Sequence, residues 1–341
     1  MKALRLFGPS DLRIVEEPQP QPGVDEVLLR VRAVTICHSD IHYYRDGRIG
    51  DTISTVPLVL GHEFCGEVVQ VPASAHHLRV GDLVAVEPAV SCGTCRECRE
   101  GNPNICENLF FSGTPPLDGA MREYMTYRPE FCYPLPADFS PEEGALLEPL
   151  GVALYAWDLG HLRLAESVAI VGCGAIGLLL VQLARVAGAS LVLAVEPLTY
   201  RRDMAALWGG IPLNPDERLM QCADQLTGGQ GADLVIETAG TLAGQDAAVR
   251  LAKRGGRVLF VGIPSEDRID VPHHIARRKD LQMHAVRRMK HTYPRAITLL
   301  QRGMVELCPL ITHHYPLEQA AEAFPIVAEY ADEVIKAVII P

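Results

Sequence analysis

The sequence predicts an α/β protein of two domains, a mostly-β domain and a doubly wound parallel-sheet domain. Its 341 residues are more than one ordinary hydrophobic core accommodates, so two domains are the expected number. Up to about residue 150, short β-branched segments closed by Gly and Pro are typical of strands. Beyond that point short apolar strands alternate with helical stretches, which indicates a parallel sheet with helices on both faces.

The composition disfavours several classes of protein. A hydrophobic fraction of 48% and a charged fraction of 21% are those of a folded, soluble chain. The net charge of −11 and the pI of about 5.6 argue against nucleic acid or an anionic membrane as a partner, because both require a basic face. The N-terminal stretch "MKALRLFGPSDLRIVEEP" has no long apolar segment, so we expect no signal peptide and a cytoplasmic location.

One uncharged run approaches the length of a membrane span. The 18 residues 167–184, "SVAIVGCGAIGLLLVQLA", carry no charged side chain. Their first half is a short β-branched run followed by three glycines, which favours a strand and a tight turn over a spanning helix. We therefore expect no membrane segment.

The mostly-β domain is predicted from three segments in particular. They are "EVLLRVRAV" at 26–34, "LVLGHEFCGEVVQV" at 58–71 and "GDLVAVEP" at 81–88. Each is rich in β-branched residues and ends in turn residues, which is typical of strands. The sequence predicts a barrel-like arrangement of these strands.

The second domain is predicted from a series of apolar strands. They lie at 168–171, 191–195, 233–236, 257–261 and 281–286, with a weaker candidate, "IPL", at 211–213. From Arg287 the pattern returns to helix and strand punctuated by prolines, and we expect this section to rejoin the first domain. The predicted domains are therefore 1–150 with 287–341, and 151–286.

A glycine motif follows the first strand of the second domain. Gly172, Gly174 and Gly177 have the G-x-G-x-x-G spacing, and Glu196 ends the next strand, nineteen positions after the last glycine. A strand before the motif, a helix after it and this acidic residue form the dinucleotide-binding arrangement. The alternative is a glycine turn in some other α/β protein. Glu196 should accept hydrogen bonds from the ribose hydroxyls and repel an extra phosphate, so NAD is favoured over NADP.

Two arginines keep the choice of dinucleotide open. Arg201 and Arg202 lie close to Glu196 in the sequence and could accommodate a phosphate. The cofactor is therefore predicted as NAD, with NADP as the alternative.

Four of the ten cysteines lie in one short loop. Cys92, Cys95, Cys98 and Cys106 form a C-x2-C-x2-C-x7-C pattern amid Gly and Pro. Four thiolates can wrap a tetrahedral zinc ion and leave no open position, so this zinc would be structural. An iron–sulfur cluster and disulfides are the alternatives, and a reducing compartment disfavours the disulfides.

A second group of reactive residues lies in "CHSDIH". Cys37, His38, Ser39, Asp40 and His42 fall within six positions. By itself this stretch is equally compatible with a metal or catalytic site and with a polar turn.

Taken in order, these motifs identify a family resemblance. "CHSDIH", "GHE", the four-cysteine loop, "EPL" and "GCGAIG" resemble those of the zinc-containing medium-chain dehydrogenase/reductase superfamily. "HYYRDGRIGD", "PLVLGHEFCGEVV", "FFSGTPPLDG", "FCYPLP" and "GALLEPLGV" are similar to its sorbitol (polyol) dehydrogenase branch. The likeness covers nearly the whole chain. It implies a GroES-like catalytic domain, a Rossmann domain, and an active site in the cleft between the two domains.

The resemblance implies a catalytic zinc held by Cys37, His62 and a carboxylate. Glu63 and Glu148 are both candidates for the third ligand, with Glu63 preferred. Zinc in such a site keeps one position open for water or substrate and would acidify a bound alcohol. The chain would therefore bind two zinc ions, one catalytic and one structural.

Further roles follow from the same resemblance. Ser39 and His42 would relay the alcohol proton, while Asp40 would orient His62. His38 is expected to be structural or to face the cofactor. The implied cofactor-binding residues are Gly172, Gly174, Ala175, Ile176, Gly177, Glu196, Arg201, Val261 and Ile263.

The implied reaction is reversible, NAD-dependent oxidation of a secondary hydroxyl of a polyol to a ketone. Tyr43, Phe111, Glu148 and Arg288 would lie near the substrate. Where the polyol branch has tyrosine after that arginine, this chain has Met289, which puts the particular polyol in doubt. The alternatives are a zinc dehydrogenase for threonine, a sugar, a sugar acid or a simple secondary alcohol, and a catalytically idle NAD-binding protein. The family also implies a homotetramer or homodimer.

Overall fold

The computed structural model describes residues 1–54 and 57–341, and these divide into two compact units. One unit combines Met1–Pro149 with Tyr293–Pro341, and the other is Leu150–Thr292. The chain thus leaves the first unit, builds the second from one continuous segment, and returns to complete the first.

The first segment of the chain is rich in strands. Its strands are β1 (Lys2–Gly8), β2 (Asp11–Glu16), β3 (Val27–Thr35), β4 (Arg48–Ile49), β5 (Thr52–Ile53), β6 (Leu58–Val59), β7 (Glu63–Gln70), β8 (Leu83–Val86), β9 (Ala89–Val90), β10 (Phe110–Phe111), β11 (Tyr124–Tyr127) and β12 (Cys132–Pro134). Its helices are α1 (His38–Asp46), α2 (Arg96–Arg99) and α3 (Pro141–Gly160), and the unit boundary falls inside α3, after Pro149.

Strand β3 is the centre of the larger sheet of this unit. The order is β12-β8-β7-β3-β20-β19, with β11 also paired to β3 and with β19 and β20 supplied by the returning chain. β7 lies antiparallel to β3 and places Glu63 opposite Thr35, while β20 places Val338 opposite Thr35 on the other side. The end of β3 is therefore flanked by the start of β7 and by β20, and Cys37 lies two residues after that end.

The sequence pattern explains why β3 is central. Its burial alternates only weakly, because most of its nine residues are apolar and buried and only Arg30 and Arg32 face solvent. Strands covered on both faces read as near-continuous apolar runs. The three segments predicted as strands contribute β3, β7 and β8 to this sheet, and the second segment also forms β6, which pairs with β1 in a separate sheet.

The second unit alternates strands and helices. In chain order it comprises β13 (Ser167–Val171), α4 (Ala175–Val186), β14 (Leu191–Val195), α5 (Thr199–Leu207), β15 (Ile211–Leu213), α6 (Leu219–Thr227), β16 (Ala232–Glu237), α7 (Leu242–Leu251), β17 (Ala252–Phe260), α8 (His273–Lys279) and β18 (Gln282–Ala285).

These strands form a parallel sheet in the order β15-β14-β13-β16-β17-β18. Chain order runs outward in both directions from β13, which is the doubly wound arrangement that the sequence predicts. The weakest predicted strand, 211–213, is β15 at the edge of the sheet. It contains Pro212, and proline is confined to edge positions because it cannot donate to the ladder.

The uncharged run at 167–184 divides as predicted. Its first five residues are β13, a glycine turn follows, and the remainder belongs to α4. None of the helices within 1–54 and 57–341 combines the length and apolar character that crossing a bilayer requires.

The returning segment completes the first unit. It contains α9 (Tyr293–Gln301), β19 (Ile311–Pro316), α10 (Ala320–Glu329) and β20 (Lys336–Ile340). β20 is apolar and buried over most of its length, and its residues Ala337 and Ile339 join the hydrophobic core built by the first segment. The core of this unit therefore depends on residues from both ends of the chain.

Candidate metal centres and cofactor site

The fold brings three potential metal ligands together at the end of β3. The ligand atoms of Cys37, His62 and Glu63 all lie within 4.8 Å of one another. Cys37 follows β3, His62 directly precedes β7 and Glu63 is the first residue of β7, so pairing of these two strands creates the cluster. Thiolate, imidazole and carboxylate together are a donor set that suits zinc. The chemistry of the residues therefore fits a metal ion at this position.

The carboxylate of Asp40 lies against the imidazole of His62. The Oδ1 atom of Asp40 lies 3.4 Å from Nδ1 of His62, and both side chains are buried. The carboxylate lies on the Nδ1 side of the ring and leaves Nε2 to face the ligand cluster, as in metal sites where a carboxylate lies behind a ligating histidine. Burial acts to lower the pKa of His62, but the negative charges of Asp40 and Cys37 outweigh it, and the pKa is raised well above its usual value.

Asp40 also ties the two ligand-bearing loops together. Its carboxylate accepts the N–H of Cys37 at 2.9 Å and the N–H of Gly61 at 3.2 Å. Gly61 has a positive φ of 94°, and an added Cβ would lie 2.8 Å from the side chain of Val34, so glycine is required where the chain turns into His62. One buried carboxylate thus fixes the backbone on both sides of the site.

The carboxylate of Glu63 has two partners that the sequence analysis missed. The hydroxyl of Thr35 and the ammonium of Lys336 both donate to it, and all three side chains are buried. The only sequence signal for Lys336 is a single lysine within the apolar run "VIKAVII". Its partner lies 273 positions away, which no local pattern reveals.

Glu148 lies near this group but outside it. Among residues 1–54 and 57–341, the ligand cluster contains Cys37, His62 and Glu63 and does not include Glu148. Glu148 is buried in α3, directly before Pro149, and its charge contributes to raising the pKa of Lys336. Glu148 is therefore placed to influence the site electrostatically.

The expected relay residues lie along α1. The hydroxyl of Ser39 is 3.2 Å from Nε2 of His62, at the cluster itself. His42 is one turn further on, with Nδ1 3.9 Å from the carboxylate of Asp46. The ring of His38 stacks on Tyr330 at 5.6 Å and meets the ring of His42 edge-on at 5.6 Å.

The expected substrate residues are divided between the two units. The ring of Phe111 lies 5.1 Å from the ring of His62. Tyr43 is buried, and burial raises the pKa of its hydroxyl even though a hydrogen bond with Thr114 acts to lower it. Arg288 belongs to the second unit and has a positive φ of 55°. Beside it in sequence, the sulfur of the buried Met289 accepts the hydroxyl of Thr292 at 3.3 Å.

The four cysteines of the loop also converge. The ligand atoms of Cys92, Cys95, Cys98 and Cys106 lie within 4.8 Å of one another. Backbone N–H groups point at the sulfurs: those of Cys95 and Cys92 donate at 3.3 Å to the sulfurs of Cys92 and Cys106, respectively. Such donors stabilise thiolates.

The thiols of this loop differ in acidity when no cation lies between them. Hydrogen bonds from Thr94 lower the pKa of Cys92 to about 5, whereas burial and the neighbouring thiols raise that of Cys98 to about 12. Four negative sulfurs at this spacing repel one another unless a positive charge lies between them. The residues therefore fit a tetrahedral zinc ion.

The glycine turn after β13 has the shape of a dinucleotide cradle. Gly172 has a positive φ of 92°, and a Cβ on Gly177 would overlap the carbonyl oxygen of Gly172. Gly174 has open space around it, its nearest neighbour being the guanidinium of Arg201 at 3.7 Å. The backbone therefore leaves room for a phosphate group before α4, which begins with Ala175 and Ile176.

Glu196 is the buried acidic residue at the end of β14. Its carboxylate accepts the N–H of Cys173 at 2.7 Å and that of Leu198 at 3.0 Å, so it is bound to the glycine turn itself. Arg202 donates to the backbone carbonyl of Glu196 at 2.7 Å and to the hydroxyl of Thr199 at 3.0 Å. The carboxylate is thus held in place and the arginine is directed to local oxygens.

Two expected cofactor-binding residues lie at the ends of the neighbouring strands, together with a buried carboxylate that the sequence analysis did not identify. Val261 and Ile263 follow β17, and Val261 donates its N–H to the carbonyl of Glu237 at 2.8 Å. The carboxylate of Glu237, fully buried at the end of β16, accepts the N–H of Gly240 at 2.7 Å. Burial raises the pKa of Glu237 to about 7. The sequence offered only a carboxylate closing an apolar strand.

Comparison with known protein families gives two matches. Residues 23–137 match the family described as alcohol dehydrogenase GroES-like domain, and residues 175–302 match the family described as zinc-binding dehydrogenase. The first match covers the ligand cluster and the four-cysteine loop, and the second begins at Ala175 and includes Gly177 but not Gly172 or Gly174.

Individual proteins are similar over nearly the whole chain. Sorbitol dehydrogenase of Bacillus subtilis (strain 168) is 35% identical over 100% of this chain and 97% of its own length. An Escherichia coli oxidoreductase of unknown specificity, involved in membrane biogenesis, superposes with a TM-score of 0.94 at 32% identity, over 99% of this chain and 98% of that one. A Sinorhizobium meliloti 1021 protein solved with NADP bound superposes with a TM-score of 0.89 at 30% identity, over 100% and 99%. The α/β fold class, with a GroES-like and a Rossmann-type part, is confirmed.

Proposed function

We propose, from the premise that this chain belongs to the zinc-binding, GroES-like alcohol dehydrogenase family, that it oxidises a secondary hydroxyl of a polyol to a ketone with NAD as hydride acceptor. The family makes the chain an oxidoreductase acting on CH–OH donors. The single observation that carries the proposal is the cluster of Cys37, His62 and Glu63, whose ligand atoms lie within 4.8 Å of one another. The similarity to sorbitol dehydrogenase supports a polyol as the substrate.

A zinc ion held by this cluster would supply Lewis acidity, lowering the pKa of a substrate hydroxyl placed at its open position. The chain's own residues provide the rest. Asp40 holds the imidazole of His62 with Nε2 toward the cluster, and Phe111 covers one side of that ring. Glu63 is our choice as third ligand, because the described cluster contains it and not Glu148.

Ser39 and His42 are our proposed route for the substrate proton. The hydroxyl of Ser39 lies at the cluster, 3.2 Å from Nε2 of His62, and is the natural first acceptor. His42 is on the same helix and partly accessible, so its imidazole can pass the proton onward. Tyr43, Glu148 and Arg288 remain our candidates for contact with the substrate hydroxyls.

We propose NAD rather than NADP as the physiological cofactor. Its binding residues would be the glycine turn with Ala175 and Ile176, together with Glu196, Arg201, Val261 and Ile263. The fixed carboxylate of Glu196 would accept ribose hydroxyls and repel a phosphate. Arg202, which could attract that phosphate, instead donates to carbonyl oxygens.

We also propose a second, structural zinc in the four-cysteine loop and self-association in the cytoplasm. The thiol cluster supports the zinc. Strand β18 supports self-association, because its four residues are exposed at the edge of the parallel sheet, where a second copy could extend the sheet. A homodimer or homotetramer would cover this edge.

Met289 favours a second candidate function. A thioether, buried and bound by Thr292, stands where the polyol branch has a phenol, so one hydroxyl-binding group is missing. A site with fewer polar groups discriminates less against substrates that have fewer hydroxyls. The second candidate is therefore a related zinc dehydrogenase for threonine, a sugar, a sugar acid or a simple secondary alcohol.

The deciding experiment is NADH formation with sorbitol, xylitol, sugar acids, threonine and 2-propanol, run in parallel with NAD and NADP. We expect one polyol to be preferred, NAD to give the higher kcat/KM, and Cys37→Ser to reduce turnover by at least about a thousandfold, since the Lewis acid contributes several kcal/mol. Activity confined to threonine or 2-propanol would establish the second candidate. If zinc-loaded protein forms no NADH with any of these substrates, both candidate functions are contradicted.

A further inference from the structure

Lys336 is a buried lysine that the proposed reaction does not use. It is the first residue of β20, and its ammonium group lies among residues of the ligand cluster. It donates to both carboxylate oxygens of Glu63, with the Oε1 contact at 2.6 Å, and to the backbone carbonyl of Ile36 at 3.1 Å. The three donors of an ammonium group are thereby fully used.

These contacts join two of the potential metal ligands. Ile36 immediately precedes Cys37, and its N–H donates to the carbonyl of Ala337 at 3.0 Å, so β20 fixes this backbone from both its side chain and its main chain. Lys336 therefore ties the loop that carries Cys37 to the side chain of Glu63. A lysine that merely balanced charge would not require this second attachment.

The two oxygens of Glu63 are not equivalent. Oε2 accepts from both Thr35 and Lys336, whereas Oε1 accepts from Lys336 alone. Because a carboxylate oxygen has about two acceptor sites, Oε2 is saturated and Oε1 keeps one site. A metal ion in the cluster would then meet Glu63 through one oxygen only.

We propose that Lys336 is a positioning residue that restricts Glu63 to a one-oxygen metal ligand and withdraws negative charge from it. The inference rests on the proposed metal site. It assigns the buried cation the task of keeping the coordination number low and the metal electrophilic, since a bidentate carboxylate would fill the open position and donate more charge.

The test is cobalt substitution of the whole protein, measured without substrate or NAD. Cobalt(II) absorbs strongly in the visible range when four-coordinate and weakly when it gains a ligand. In Lys336→Met we expect the Cys37-dependent cobalt bands to weaken at least about twofold. We also expect cobalt affinity to rise by about tenfold, because the variant removes a positive charge that repels the metal and frees a second oxygen of Glu63 to bind it. Lys336→Arg keeps the charge and should retain the wild-type bands.

Two further variants serve as a replacement for the methionine variant and as a control. Lys336→Gln, neutral but still able to donate, replaces the methionine variant if that variant does not fold, and the same weakened bands are expected. Lys253→Met removes a lysine from a different ion pair, with Asp233 in the second unit, and should leave the cobalt bands unchanged.

The outcomes separate this inference from the proposed function. Wild-type bands in both neutral variants, or a tenfold fall in cobalt affinity, would overturn the role of Lys336 and leave the metal site intact. Absence of any Cys37-dependent cobalt band in the wild type would overturn the metal site and the inference together. Weakened bands in a protein that oxidises none of the tested substrates would support the inference and count against the polyol reaction alone.

Discussion

Glu237 illustrates how one buried carboxyl can make stability depend on pH. It is fully buried, and burial raises its pKa from the ordinary 4.5 to about 7. Between these two values the folded protein holds a proton that the unfolded chain has lost. The free energy of unfolding therefore decreases as pH rises through this window, by about 3 kcal/mol in total.

Glu237→Gln should remove this dependence. The amide keeps the shape and the oxygen that accepts the N–H of Gly240, but it has no charge to lose. We expect the melting temperature of the variant to exceed that of the wild type at pH 8 by several degrees, and the gap to close near pH 5. Thermal unfolding at four pH values measures it. A gap that does not vary with pH would mean that Glu237 does not titrate in this range.

Asp40→Asn tests the residue that holds both ligand loops. An amide has one acceptor oxygen where the carboxylate has two, so it cannot hold His62 and accept from both Cys37 and Gly61. We expect zinc affinity at the Cys37 cluster to fall by about 10- to 100-fold. Competition with a chelator measures the affinity.

Asp46→Asn is the matched control for that change. Asp46 lies on the same helix, but its side chain is 56% exposed and its contact with His42 is 3.9 Å long. Its loss should leave zinc affinity within about twofold. Equal losses in the two variants would contradict the role of Asp40.

At the scale of elements, two glycines at the junction of β13 and α4 should have different roles, one in stability and one in cofactor binding alone. Gly177→Ala places a Cβ against the carbonyl of Gly172, whereas Gly174→Ala meets nothing closer than Arg201 at 3.7 Å. We expect Gly177→Ala to lower the melting temperature and to lose NADH binding. Gly174→Ala should melt within about 2 °C of the wild type but bind NADH at least tenfold more weakly, because backbone must approach the diphosphate there.

Fluorescence titration with NADH and thermal unfolding of the free protein distinguish the two variants. If the Gly174→Ala variant binds NADH as tightly as the wild type, the proposal that the dinucleotide binds at this turn is wrong.

The four-cysteine loop should hold a metal ion independently of the Cys37 cluster. Cys98→Ser removes one of four convergent sulfurs, so we expect zinc content to fall from about two ions per chain to about one. Cys37→Ser should also leave about one. Elemental analysis of the single and double variants measures this, and a wild type with one zinc would mean that one of the two clusters is not a zinc site.

At the scale of the whole molecule, elements were more predictable from the sequence than contacts. The strands of the parallel sheet could be located from apolar runs, because burial on both faces makes such strands continuous in sequence. The cysteine loop could be located because its ligands are close in the chain. The preference for Glu63 over Glu148 as the third ligand came from the family resemblance, since no local pattern shows which side chain the pairing of β3 and β7 brings to Cys37.

Lys336 and Arg202 show the limit of local patterns. A lone lysine in an apolar strand indicates a buried partner but not its identity, and that partner is 273 positions away. Arg202 is a plausible phosphate ligand by sequence, and only the geometry directs it to the carbonyls of Glu196 and Pro197. For Lys336 the deciding quantity is a distance between segments far apart in the sequence, whereas for Arg202 it is the local path of the backbone after β14.

The interrupted course of the first unit has a consequence for biosynthesis. Cys37, His62 and Glu63 leave the ribosome early, but β20 follows the entire second unit, so at 5–20 residues per second Lys336 emerges roughly 15–55 s after Glu63. During that interval the nascent chain carries the ligand residues without the ammonium group that restrains the glutamate. The contiguous second unit can fold co-translationally, whereas the unit that carries the ligand cluster must wait for β20. The order of translation therefore delays the completed ligand geometry until after the second unit has been synthesised.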